Sequence, residues 1–156
     1  VDGTYRVVYE LEEATVTVTQ RPPDRRVDTV RADGSEDTTI SADGQVLACT
    51  KPPGGAWSCE RLGEPPREGV LDGEALDAFV AGVTESAAGS TVTAEDDEVA
   101  GTPARCVRAD APGDAADARL CVSGEGAVLL VERTSGALRA VEHSTDVDDA
   151  AFSPPA

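Results

Sequence analysis

The sequence predicts a mainly β chain of the α+β class: an unclosed antiparallel β-barrel, or strongly curved sheet, of about ten strands wrapped around one central helix at about 72–88. Three observations carry this reading. Valine-rich segments alternate apolar and polar residues with period two. Asp-Gly, Pro-Pro and Ser-Gly pairs punctuate those segments where tight turns belong. One segment switches to 3.6-residue spacing.

The elements follow in order. From Thr4 to Glu12, Tyr5, Val7, Tyr9 and Leu11 fall on one face; Arg6, Val8, Glu10 and Glu12 fall on the other. That is a half-buried strand. After a turn at Glu13-Ala14, Val16 and Val18 alternate with Thr15, Thr17 and Thr19 in a second strand of β-branched residues. Arg21-Pro22-Pro23-Asp24 ends it. Arg25 to Arg31 reads as a third strand stopped by Asp33-Gly34, and Thr38 to Ser41 as a fourth stopped by Asp43-Gly44. Glycine takes positive φ freely, so both pairs suit hairpins. Gln45 to Thr50 and Ala56 to Leu62 form the next hairpin.

Between Leu71 and Ala88 the apolar positions are Leu71, Ala75, Leu76, Phe79, Val80, Val83 and Ala87. The spacing predicts a helix, with Asp72 as N-cap, Leu71 and Leu76 as a hydrophobic staple, and Gly89 at the C-terminal cap. Strands resume at Ser90–Ala94, Ala104–Ala109, Arg119–Ser123, Ala127–Thr134 and Ala137–Ser144, the last two joined at Ser135-Gly136. Residues 146–156 read as an irregular tail anchored by Phe152. The chain of 156 residues is read as one domain, 1–156, ordered six strands, helix, five strands.

Composition bounds the function. Leu, Ile, Val and Phe make up about a fifth of the chain, which with a net charge of −17 sits at the edge of disorder. The alternation and the cysteines argue for a fold. Thirty acidic against thirteen basic residues, Lys51 being the one lysine, exclude a phosphate-binding face, so no nucleic acid is expected. Docking on anionic lipid by charge is disfavoured for the same reason. No apolar run approaches the roughly 20 residues of a membrane span. No stretch reads as a signal peptide, and the chain starts almost inside a strand, which fits removal of upstream residues.

Cys49, Cys59, Cys106 and Cys121 are too widely spaced for metal knuckles, and one histidine does not complete a zinc set, so no metal and no cofactor are expected. Four cysteines allow three disulfide connectivities. The local pairing Cys49–Cys59 and Cys106–Cys121 is preferred because each pair brackets a turn-rich segment. Persistent disulfides imply an oxidising compartment, with four reduced thiols in a cytosolic protein as the alternative.

Other candidates weigh less. His143 beside Glu142 is half of an acid–base pair, but strand neighbours face opposite sides and no GxSxG motif is present, so a surface histidine is expected. Glu95-Asp96-Asp97-Glu98 and Asp146, Asp148, Asp149 lack calcium-loop spacing and read as solvated charge. Gly124-Glu125-Gly126 is a turn and not a phosphate loop. Trp57 is expected to pack on the neighbouring disulfide. No catalytic residue is assigned, and an enzyme is not expected.

A lone striped helix must bury its stripe on the concave sheet, and small inward residues leave space there for plain core or an apolar ligand cavity. The lining would be Tyr5, Val7, Tyr9, Leu11, Val16, Val18, Leu76, Phe79 and Val83. Three segments then carry a resemblance: Arg21-Pro22-Pro23-Asp24-Arg25-Arg26-Val27-Asp28, Ile40 to Val46 followed by Pro52-Pro53, and Asp149-Ala150-Ala151-Phe152-Ser153-Pro154-Pro155. In order and spacing the chain resembles the bacterial LolA/LolB-like periplasmic lipoprotein carriers, including the LppX/LprG-like lipoproteins. It departs from them in carrying two disulfides and in starting its first strand at Thr4 without their N-terminal helix, which fits trimming of upstream residues. The resemblance implies an open barrel with a helical plug, an extracytoplasmic bacterial location (secreted or envelope-anchored), and non-catalytic binding of a lipid or acyl chain, with Arg25 and Arg26 holding a lid or an acyl ester unless they are surface ion pairs. An upstream lipobox cysteine would support a lipid anchor. The same fold also occurs in regulators of envelope-stress sigma factors, so a sensor or interaction domain with an envelope protein partner is the alternative.

Overall fold

The structure, a computed structural model, describes residues 3–63, 91–110, 117–133 and 136–156. The predicted helix, with Leu76, Phe79 and Val83, lies outside the described residues. The rest is one unclosed antiparallel sheet of eleven strands, with almost no helix.

The strands are β1 (Tyr5–Glu10), β2 (Ala14–Arg21), β3 (Asp24–Arg31), β4 (Glu36–Ala42), β5 (Gln45–Lys51), β6 (Ser58–Leu62), β7 (Thr91–Val99), β8 (Thr102–Asp110), β9 (Ala118–Ser123), β10 (Val128–Arg133) and β11 (Gly136–Ser144). Their order in the sheet is β6-β5-β4-β3-β2-β1-β11-β10-β9-β8-β7. Two meanders therefore meet where the first strand pairs with the last. Local hairpins dictate each meander; the β1–β11 pair joins them.

The Asp-Gly turns form as expected. Asp43 and Gly44 have φ of 52° and 71°, positive at both central positions as the tightest hairpin requires. The β7–β8 turn uses the same geometry at Ala100 and Gly101, again 52° and 71°. Alanine is an uncommon residue there, so sequence reading passed over that turn.

Three expectations are corrected. Leu11 does not share the buried face of β1; it lies beyond the strand's end and is 41% exposed. Its N–H donates to the Ala14 carbonyl at 2.7 Å, closing the turn and taking the residue out of the alternation. The acidic run 95–98 is not a loop but the second half of β7. Arg119 reaches Glu95 at 2.8 Å and Asp97 at 2.5 Å, and Arg105 reaches Asp96 at 3.6 Å, so neighbouring strands compensate the charge. The C-terminal segment is not wholly irregular: Asp148 caps a 3-10 helix at Asp149–Phe152 by accepting from the Ala150 N–H at 2.9 Å.

The core gathers Tyr5, Val7, Tyr9, Val16 and Val18 with Val99, Cys106, Cys121, Leu129, Leu130 and Ala140. The Tyr9 hydroxyl donates to the Val128 carbonyl, tying β1 to β10 across the intervening β11. Burial pushes the Tyr9 phenol well above its usual range.

The structure pairs Cys49 with Cys59 and Cys106 with Cys121, each directly opposite across a hairpin. Cys106 and Cys121 are fully buried, whereas Cys59 is exposed. Mild reductant should therefore open Cys49–Cys59 first, as read by timed alkylation and peptide mapping. Replacing Cys106 and Cys121 together by alanine should cost about 2–5 kcal/mol in urea denaturation. Leu130→Ala, which empties a fully enclosed position, should cost a similar ~2–5 kcal/mol.

Candidate functional site

Two regions carry chemistry: an apolar strip on one face of β1–β6, and a polar cleft where the β7–β8 and β9–β10 turns meet the end of β11.

Register builds the strip. Val7 pairs with Val18, Val18 with Val27, Val27 with Thr39, and Thr39 with Ala48. Directly opposite residues share a face, so these five form one row across five strands. Val7 and Val18 are buried in the core, while Val27, Thr39 and Ala48 are half-buried. Beside the row, Ser41, Val46 and Leu62 line up in the same sense. The row is thus core at one end, half-buried over Val27, Thr39 and Ala48, and ends opposite the exposed Glu60.

The reverse face of the same strands is already covered. Arg26 binds Asp28 at 2.8 Å and donates to the carbonyls of Ala151 at 3.0 Å and Ser153 at 3.1 Å. Asp28 also accepts from the Thr38 hydroxyl at 2.6 Å. Arg21 pairs with Asp149 and lies 5.2 Å from the centre of the Phe152 ring. Phe152 is buried, as an anchor should be. Arg26 therefore clasps the C-terminal segment onto the sheet.

Of the predicted cavity residues, Tyr5, Val7, Tyr9, Val16 and Val18 come together in the core cluster, and Leu11 stands apart. Val27, Thr39 and Ala48 were missed, although the hairpin register implied by Pro22-Pro23 and Asp33-Gly34 places them on the same face. Trp57 has the Lys51 ammonium 5.7 Å from its ring centre.

The polar cleft is open to solvent and has a volume of about 690 Å³. His143 lines it, and its side chain is only 5% exposed, which corrects the expectation of a surface histidine. It pairs opposite Val7 on the core-facing side of β1, which is why it is covered. Its Nδ1 lies 3.2 Å from the Thr102 hydroxyl, and its Nε2 lies 3.7 Å from a Glu125 carboxylate oxygen. Nε2 is buried without a hydrogen-bond partner. The Glu125 turn is fixed by Gly3, whose N–H donates to the Glu125 carbonyl at 3.1 Å. A β-carbon at position 3 would stand 2.5 Å from Glu125 Cβ, so only glycine fits that approach. Hydroxyl, imidazole and carboxylate stand in the order of a catalytic triad. A triad needs its carboxylate hydrogen-bonded to the ring, and 3.7 Å is too long.

On the cleft's flank, the Arg119 guanidinium holds the Asp97 carboxyl below its ordinary value of 3.8. A depressed carboxyl favours the folded state above its unfolded value and loses that contribution as pH falls through its folded one. Titration of the Asp97 carboxyl by carbon NMR should find it below 3.8 and find it raised in Arg119→Ala.

No sequence profile of a known family matches the chain, and no curated protein matches it. Among solved structures, MucB superposes with a TM-score of 0.54 at 14% identity, over 99% of this chain and 58% of that one. MucB in complex with MucA(peri) gives 0.42 at 15% identity, over 98% and 54%. The first likeness is one of fold; the second is too loose to carry an argument. The chain spans somewhat over half the length of the MucB chain. Two disulfides fit an oxidising, extracytoplasmic location.

Proposed function

We propose that this chain is a non-catalytic binding domain of the bacterial cell envelope, and that it holds an acyl chain of a lipid or lipoprotein on the strip Val27, Thr39 and Ala48. The observation that carries the reading is the strip itself, a row that leaves the core and continues as half-buried apolar surface. Among the described residues, the C-terminal segment clasped by Arg26 covers the reverse face and not the strip. Burial of hydrocarbon there contributes about 0.8 kcal/mol per methylene without any charged contact. Binding therefore tolerates a chain with a net charge of −17 and depends little on salt. All four cysteines are paired, which supports a role without thiol chemistry.

A second reading, an envelope sensor or protein-interaction domain without bound lipid, is favoured by the fold likeness to MucB, a protein crystallised with MucA(peri).

A fluorescent fatty acid should bind saturably at micromolar protein, be displaced by unlabelled fatty acid, and respond little to added salt. Ala48→Trp fills the strip at a half-buried position and should abolish uptake while leaving the thermal transition in place. Absence of saturable binding by the delipidated wild type overturns the acyl reading in favour of the interaction reading.

A further inference from the structure

The two disulfides sit in opposite surroundings. Cys106 and Cys121 join β8 to β9 within the core cluster, and both are fully buried. Cys49 and Cys59 join β5 to β6, the strand at one end of the sheet order, which pairs with β5 alone among the described residues. The two halves of this second pair differ. Cys49 is buried and stands opposite Thr38, whose hydroxyl donates to Asp28 on the face that the C-terminal segment covers. Cys59 is exposed. So are the other β6 residues except the half-buried Leu62, and the strand buries almost no apolar surface. An edge pairing without an apolar face is marginal in water. The Trp57 ring, 5.7 Å from the Lys51 ammonium, closes the loop end of the hairpin. Along β6 itself, the sulfur–sulfur bond stands in for burial as the tie to the sheet.

We propose that Cys49–Cys59 is a thiol–disulfide exchange site for a dithiol protein of the same compartment, and that its reduction releases β6 from the sheet. Exchange depends on access to the sulfur attacked, so Cys59 is the entry point. A thiolate of the reductant forms a bond to the Cys59 sulfur. The bond between the two cysteines breaks, and Cys49 leaves as a thiolate that takes up a proton. The second thiol of the reductant then attacks the first, which frees the Cys59 thiolate to be protonated in turn. Two electrons and two protons pass from the dithiol to the pair, and the reductant departs as a disulfide. A monothiol stops at the mixed disulfide, where Cys49, directly opposite Cys59, attacks and re-forms the original bond. A dithiol completes the reaction, hence the class of partner. Release of β6 uncovers the main-chain edge of β5 from Val46 to Thr50, a strand-accepting edge that β6 covers in the oxidised form. The buried Cys106–Cys121 stays shut and holds the core. Holding a hydrocarbon chain on the strip involves no thiol, so the exchange stands independently of the acyl reading.

Reduced thioredoxin is the probe, added to the folded, oxidised protein without denaturant. Alkylation and peptide mapping should find a species labelled at Cys49 and Cys59 with Cys106–Cys121 intact. It should form roughly tenfold or more faster than the second pair opens. A thioredoxin variant lacking its second cysteine should be trapped on Cys59. Hydrogen exchange read by mass spectrometry should show protection lost in β6 and along the outer edge of β5, and kept in β2, β3, β8 and β9. Cys49→Ala combined with Cys59→Ala should reproduce that pattern without any reductant. Trapping on Cys49, or opening of both pairs at one rate, would overturn the exchange site. Equal yield of the reduced species from glutathione at the same thiol concentration would overturn the dithiol assignment. Unchanged exchange of β6 after reduction, or protection lost throughout the sheet in the double variant, would overturn the release.

Discussion

The pairing of β1 with β11 is the constraint on which the rest depends. Arg6 stands opposite Ser144 and Val7 opposite His143, so nearly the whole chain must fold back before this ladder forms. Every other strand pairing in the sheet joins neighbours in sequence order among the described residues. Local turns can build either meander alone, but only this pair fuses them, and closing so long a loop costs entropy before any contact offsets it. The compensation lies in the two strands themselves. Tyr5, Val7 and Tyr9 on β1 and Ala140 on β11 all enter the same core cluster, and the Tyr9 hydroxyl reaches past β11 to β10. A bulge between Val8 and Tyr9 adjusts the ladder at the seam.

Once that seam is closed, the two regions of chemistry take their places. The face of β1 that enters the core continues through β2 to β5 as the apolar row. The other end of β11 carries His143 into the meeting point of two turns. Ion pairs in the sheet offset part of the chain's negative charge, thirteen basic residues standing against thirty acidic ones. Arg119 spans Glu95 and Asp97, Arg26 holds Asp28, Lys51 holds Glu36 at 2.7 Å, and Arg31 holds Asp37 at 2.5 Å. Such partly exposed pairs contribute little stability individually, about 0–1 kcal/mol each where solvent reaches them, and they set opposite charges side by side in the sheet.

Much of the strand order was legible because period two survives wherever one face is buried, as in Tyr5-Val7-Tyr9 and Val16-Val18. The Asp-Gly hairpins and both cysteine pairs were legible because each is a local event. What escaped depends on residues far apart in sequence. Glu95 to Glu98 read as loop because the arginines that make them tolerable in a strand, Arg105 and Arg119, come from other strands. His143 read as surface because its neighbours, Val7, Thr102 and Glu125, come from distant parts of the chain. Leu11 read as inward because alternation by itself does not say where a strand stops.

The central claim is that this sheet presents an apolar face made to hold a hydrocarbon chain. Native mass spectrometry of the protein, produced in an oxidising extracytoplasmic compartment and released without detergent, tests it most directly. The account predicts a population carrying a discrete added mass that dissociates as a lipid or fatty acid on collisional activation and vanishes after delipidation. A single apo species from lipid-replete cells, still apo after incubation with mixed envelope lipids, would contradict it.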